Sequence, residues 1–325
     1  MTALADRPAP PRAAAVATAP LEGRGLRKQF GERAAVDDVD LRVAAGEIVG
    51  LLGGNGAGKT TTFRLLAGIL ESDGGEVLVD GELLTRRSTR LRSALGLVPQ
   101  SIALYPLLTG RENLRLFGRI AGVGRRDLRR RIDELLEIVD LADRADEPVH
   151  HLSGGMARRL NLAAGLVHRP RVLLLDEPVV GVDPQSRRAI FDLIVTEAAQ
   201  GTGVLYTSHQ LDEAERLCDR FVVLDRGRVA AEGSVGELFA EPSGGAIAEE
   251  VVRIRLRGPA ESVDGLELLP FVVAVRRGES TIDVVVDDAG VRLSEVAAAV
   301  GPGVAAVEIP TPTLEQRFLD LTGAS

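Results

Sequence analysis

The run Gly53-Gly54-Asn55-Gly56-Ala57-Gly58-Lys59-Thr60 intersperses glycines with small residues and ends on a lysine and a hydroxyl. Gly53, Gly56 and Gly58 can take backbone conformations closed to other residues. Consecutive N–H groups from Gly53 through Asn55, Ala57 and Gly58 can then turn inward and, with a helix N-terminus, bind phosphate oxygens. Lys59 is placed to reach the β- and γ-phosphates, the Thr60 hydroxyl to ligate Mg2+, and the Thr61 hydroxyl to bond a phosphate. A loop of this kind alone is shared by many unrelated nucleotide-binding proteins.

A second constellation follows. Val172-Leu173-Leu174-Leu175 is wholly aliphatic and ends in Asp176 and Glu177, which suits a buried parallel strand whose carboxyl end opens on a ligand crevice. Asp176 would hold Mg2+ directly or through water, and Glu177 would orient and deprotonate an attacking water. Neighbouring strand residues point to opposite sides, so the two carboxylates can do different work. The plainer readings are a glycine turn with a surface lysine and a solvated strand end.

Val49–Leu52 reads as a buried strand entering the loop, and Thr60–Leu66 as a helix leaving it. A second apolar strand, Gly203–Ser208, should bring His209 to the edge where Glu177 emerges. In Leu152-Ser153-Gly154-Gly155, Ser153 reads as the N-cap of a helix running through Met156 to Gly165, with free N–H groups facing outward. A helical insert is expected between Gln100 and Ser153, with Leu128, Ile132, Leu135 and Val139 on one apolar stripe. Arg125, Arg126, Arg129, Arg130 and Arg131 crowd the start of that helix as a solvated face, with anionic lipid headgroups as the alternative contact. Phe221–Asp225 and Arg228–Glu232 read as a hairpin turned by Arg226-Gly227. Glu241-Pro242-Ser243-Gly244-Gly245 marks a break. Beyond it, Val252, Ile254 and Leu256 alternate with arginines, and Ile282, Val284 and Val286 alternate again. Leu293, Val296 and Val300 take helical spacing, a strand follows at Val304–Ile309, and Leu314, Phe318 and Leu321 share a last helical face.

The phosphate loop, the Leu-Ser-Gly-Gly tetrapeptide, the aliphatic strand ending Asp-Glu and a later histidine, in this order and spacing, resemble the nucleotide-binding subunit of an ABC transporter. The close Leu314-Glu315-Gln316-Arg317-Phe318-Leu319-Asp320-Leu321-Thr322 is similar to that of ATPases from the drug and antibiotic exporter branch, such as the daunorubicin-resistance type. The resemblance implies an α/β P-loop NTPase of ABC type, with a mixed sheet core, an antiparallel β subdomain and a helical subdomain, and a small C-terminal α/β domain after it. The first twenty residues, rich in Ala and Pro, read by composition as a disordered tail; the nucleotide-binding domain is then expected over 21–240, a linker over 241–249 and the C-terminal domain over 250–325.

The resemblance also assigns roles. ATP and Mg2+ are the cofactors. His209 contacts the γ-phosphate, Gln100 reaches the metal or water from a mobile loop, and Phe30 stacks on adenine, a core phenylalanine being its plainer reading. Ser153, Gly154 and Gly155 bind the γ-phosphate held by a second nucleotide-binding subunit, so the chain should act in pairs, with itself or a sister subunit. The segment Ser101–Leu114, with Tyr105, Pro106, Leu107 and Leu108, is the expected edge of the groove for a separate membrane permease. The expected place is the cytoplasmic face of the cell membrane. The sequence departs from the family where Met156 replaces the glutamine that usually ends the signature, removing an amide; reduced turnover is expected. Gly54 replaces a frequent proline, and Val179 and Val182 stand in for a usual hydroxyl residue and a leucine.

Composition agrees. The 325 residues, 45% hydrophobic, suffice for two packed domains. A net charge of −8 with a pI near 5.3 argues against a general nucleic-acid binder. The single cysteine, Cys218, excludes an intrachain disulfide framework. No run approaches the roughly twenty apolar residues needed to span a bilayer, so if the chain serves a transporter the pore must belong to another chain. Two alternatives stand beside the transporter subunit: an ABC ATPase acting on DNA or ribosomes, and a weakly hydrolysing ATP-dependent clamp.

Overall fold

The computed structural model describes residues 19–208, 210–240, 250–258 and 265–309. These fall into two compact units, the first running to Val235 and the second beginning at Gly236. His209 and the closing segment from Thr313 onward lie outside the described residues.

In chain order the first unit holds β1 (Leu21–Phe30), β2 (Arg33–Val43), β3 (Ile48–Gly53), α1 (Lys59–Leu66), β4 (Gly74–Val79), β5 (Glu82–Leu83), α2 (Thr89–Arg92) and β6 (Leu95–Val98). It continues with α3 (Gly110–Ile120), α4 (Arg125–Ile138), α5 (Gly154–Leu166), β7 (Val172–Asp176), α6 (Pro184–Ala199), β8 (Gly203–Thr207), α7 (Leu211–Leu217), β9 (Arg220–Asp225) and β10 (Arg228–Gly233). An antiparallel sheet runs β2-β1-β4-β5, and a second sheet runs β10-β9-β3-β8-β7-β6. In the second sheet β3, β6, β7, β8 and β9 are parallel and only β10 is antiparallel.

Burial explains the aliphatic runs. Val172 to Leu175 of β7 and Val204 to Tyr206 of β8 are all 0% exposed, as expected of central parallel strands covered on both faces. The β9–β10 hairpin turns on Arg226 and Gly227 at φ 47° and 82°, the paired positive values that match the right-handed twist of the strands. Ala19 and Pro20, grouped with the tail by composition, are buried, and the Pro20 carbonyl accepts the Asp80 N–H.

The helices α3 and α4 form the insert. Leu128, Ile132, Leu135 and Val139 are all buried, making the expected stripe. Arg131 departs from the solvated face assigned to it. It is buried beside Glu197 of α6, which it meets at 3.0 Å, and also donates to Glu134. The physical reason is register: Arg131 lies three residues after Leu128 and four before Leu135, on the face that packs inward.

After α8 (Val235–Ala240), the second unit contains β11 (Glu250–Leu256), β12 (Val272–Arg277), β13 (Thr281–Val286), α9 (Ala289–Val300) and β14 (Val304–Glu308), with sheet order β12-β13-β11-β14. Val252, Ile254, Ile282, Val284, Val286 and Val296 make its apolar core. On the other face Arg253 forks onto Asp283 through two bonds of 2.7 Å. The strand β12 was not expected: its residues are half-buried or exposed, so no alternation marks it.

Candidate functional site

Parallel pairing decides which side chains meet. Asp176, ending β7, is in register with Thr207, ending β8, and Thr207 leads on to Leu51 of β3, just before the phosphate loop. Val98, ending β6, pairs with Leu175. The carboxyl ends of β3, β6, β7 and β8 therefore share one sheet edge, and Lys59, Gln100, Asp176 and Glu177 are delivered to it.

At the loop, Gly56 and Gly58 adopt φ 80° and 108°, and a Cβ at Gly58 would lie 2.4 Å from the Ala35 carbonyl. Glycine is thus required by both conformation and space. Gly58 is the N-cap of α1 and supplies no side-chain bond, leaving the amides of Lys59, Thr60 and Thr61 without intrahelical acceptors. The Lys59 ammonium donates to the carbonyls of Gly53 at 2.6 Å and Gly54 at 3.0 Å. Burial holds its pKa below the usual lysine range, with Glu177 and Asp176 pulling it partly back. A half-buried cation and orphan amides fit a phosphate chain.

Thr207 joins the Asp176 carboxylate to the Glu177 backbone. Its hydroxyl donates to Asp176 Oδ1 at 2.7 Å and accepts the Glu177 N–H at 3.1 Å. Glu177 itself sits at φ 46°, a left-handed conformation uncommon outside glycine and asparagine. Gln100 Nε2 donates to Glu177 Oε2 at 2.8 Å, which leaves the amide oxygen for a cation. Thr60, Gln100 and Asp176 together offer hard oxygen donors. Among the described residues no group of three His, Cys, Asp or Glu could hold a metal unaided, so a cation here would share its shell with phosphate oxygens.

Phe30 ends β1 and is 54% exposed, with Lys28 Nζ 5.8 Å from its ring centroid. It is not a core side chain.

The Leu-Ser-Gly-Gly segment behaves as the sequence suggested. Ser153 caps α5, accepting the Met156 N–H at 3.3 Å, while Ser153 and Gly154 are exposed. A Cβ on Gly155 would fall 2.6 Å from Ser186 Oγ and 2.7 Å from Asp183 Oδ2, so glycine lets this helix start abut the start of α6. Two residues that the sequence reading missed lie further along α5. Arg158 donates to the Gln100 carbonyl, and Asn161 accepts the Ala103 N–H at 3.0 Å. The helix beginning at Ser153 thereby grips the backbone on both sides of the Gln100 loop. Beyond it, Asn113 of α3 bonds the Tyr105, Leu108 and Thr109 backbone, while Tyr105 at 54% and Leu107 at 81% exposure project outward.

The ABC transporter family profile matches residues 36–180, which span the phosphate loop, the Ser153 segment and both carboxylates. Daunorubicin resistance ATP-binding protein DrrA3 of Streptomyces coeruleorubidus is 44% identical over 303 residues, covering 92% of this chain and 94% of its own length. The chain belongs to the ABC transporter family as an ATP-binding protein. Nod factor export ATP-binding protein I of Rhizobium sp. (strain N33) is 41% identical, covering 92% and 95% of the two chains. Among solved structures, an ATP-binding cassette captured as a dimer in a post-hydrolysis state with ADP and Pi is 27% identical at a TM-score of 0.60, covering 66% of this chain and 98% of that one. The ABC fold expected from the motifs is the fold observed. Among the described residues no helix is long and apolar enough to cross a membrane.

Proposed function

We propose that this chain is the ATP-hydrolysing subunit of an ABC exporter for drug, antibiotic or lipid-like cargo, working as a pair on a separate membrane permease at the cytoplasmic face. The observation that carries the reading is the convergence of Lys59, Gln100, Asp176 and Glu177 on one sheet edge beside an amide cradle. The relatives named for daunorubicin resistance and Nod factor export, matched over nearly their whole length, support the export direction.

In this mechanism the loop from Gly53 to Gly58 and the first turn of α1 hold the phosphates, and Lys59 moves from its carbonyl partners onto the β- and γ-oxygens. Phe30 stacks on the base. Thr60, Asp176 and Gln100 would hold Mg2+, which neutralises phosphate charge. Glu177, steered by Gln100 and by the Thr207 clamp, accepts the proton of the attacking water. His209 stabilises the transferring charge together with Ser153 and Gly155 of the second subunit. The exposed Tyr105–Leu107 edge receives the permease, and α5 ties that edge to Gln100. The second, smaller unit follows the nucleotide-binding domain as a separate domain of the same subunit.

The test is to trap a tagged Glu177→Gln chain with ATP in its native membrane, extract it in mild detergent and identify what co-purifies. A polytopic membrane protein is expected. Recovery of soluble DNA- or ribosome-associated proteins alone overturns the transporter reading.

A further inference from the structure

A cleft of about 600 Å3 between α3 and α4 is lined by Arg111, Arg115, Arg119, Arg125, Arg129 and Asp133. Its floor is Leu128 and Ile132, both buried. The helices come together where Gly118 meets Leu128: a Cβ on Gly118 would lie 2.2 Å from Leu128 Cδ1. That close approach brings two rows of arginines face to face. Arg111, Arg115 and Arg119 recur every four residues on α3, and Arg125 and Arg129 do so on α4, a spacing at which like charges oppose helix formation.

The charges are poorly answered from within the chain. Arg111 is met by Asp133 at 2.5 Å and Asp146 at 3.1 Å. Nearby Asp127 turns to Arg130, and Glu112 bonds the Thr109 N–H while attracting Arg115 only through space, without an ion pair. Arg115, Arg119, Arg125 and Arg129 form no ion pair among the described residues. A cluster that keeps four arginines outside any ion pair, in a chain of net charge −8, is a local inversion of sign that an external anion would relieve. Ile120, closing α3 beside Arg119, is 71% exposed. Cations next to an exposed apolar side chain are the combination that favours the headgroup boundary of a bilayer. The lining has no aromatic ring on which a base could stack, which disfavours single-stranded nucleic acid.

We propose that this cleft binds the phosphate headgroup of an anionic lipid. Arg115, Arg119, Arg125 and Arg129 surround the phosphate, and Ile120 contacts the acyl boundary. This surface is separate from the nucleotide site and does not depend on the exporter reading.

The test uses the full chain in vesicle flotation, with phosphatidylcholine alone or mixed with phosphatidylglycerol. The parent is expected to float with the mixed vesicles and not with phosphatidylcholine. Arg119→Glu/Arg129→Glu should lower the bound fraction at least tenfold, and the milder Arg119→Gln/Arg129→Gln severalfold. Arg87→Glu/Arg276→Glu, an equal charge change at exposed positions elsewhere, should float as the parent does. ATP hydrolysis unchanged in the cleft variants shows that they fold and that the nucleotide site is a separate matter. Equal flotation of parent and cleft variants, or no preference for phosphatidylglycerol, overturns the proposal. So does retention in the cleft of inorganic phosphate or a short RNA without any vesicle preference.

Discussion

Glu177 occupies φ 46° because its N–H is pinned by Thr207, while its carboxylate is held by Gln100. The two restraints fix where a proton can be accepted, so the side chain should matter to the chemical step and little to nucleotide affinity. Glu177→Gln is expected to lower kcat for ATP hydrolysis by about two to three orders of magnitude, the range of a lost general base. ATP binding, followed by equilibrium titration, should change less than about threefold on the same scale of reasoning. Unchanged turnover would remove Glu177 from its assigned role. At this scale the sequence was informative wherever chemistry leaves an unusual residue type behind: glycines before a lysine, or carboxylates after an aliphatic run. It was silent on Thr207, an ordinary strand residue whose importance arises only when β8 aligns with β7 across a separation of 31 positions.

Among the elements, α5 has two ends with different duties. Its first turn presents Ser153 and the outward amides, and its second turn holds the Gln100 loop through Arg158. Burial pushes the Arg158 guanidinium pKa down, and the group donates to the carbonyls of Pro99 and Gln100. A cation spent on backbone carbonyls inside the fold is a positioning group, linking the exposed N-terminal end of α5 to Gln100 and through it to Glu177. Arg158→Ala should reduce kcat about tenfold or more, the worth of a charge-assisted bond, while KM for ATP stays near the parent value. Arg158→Lys should restore part of the loss. A rise in KM with kcat intact would contradict the link. The length and stripe of α4 were readable from spacing, and Arg131 could have been read the same way, since positions 128, 131, 132 and 135 share one face. The pairing of Arg158 and Asn161 with a loop some 58 residues earlier leaves no local pattern. The strand β12 was missed because neither of its faces is uniformly buried.

For the first unit as a whole, burial of a titratable group sets a pH dependence. His168, after α5, has its pKa pushed below the usual histidine range by burial, with its bond to the Leu95 carbonyl opposing. The unfolded chain then binds more protons than the folded one between the folded value and 6.5, so stability rises with pH through that window and is lost as pH falls through it. His168→Gln, which keeps a donor without the titration, should show a smaller drop in Tm from pH 7 to about pH 5.5 than the parent, by thermal melts at matched ionic strength. The proposed pairing requires the phosphate loop of one copy and the Ser153 amides of another to act on one nucleotide. Gly155 is packed against Asp183 and Ser186 at the start of α6, which leaves the exposed Ser153 end available to a second copy. If two copies exchange these ends, Lys59→Ala damages a site through its own phosphate loop and Ser153→Arg damages the site of the partner. Each variant alone should be inactive. Mixed, they form heterodimers in which one nucleotide meets the Lys59 of the second chain and the Ser153 of the first, and that site is intact. Measurable ATPase activity on mixing, up to about a quarter of the parent for random pairing with one working site in each mixed dimer, is the expected result. A mixture as inactive as its components would place both groups in the same chain's site.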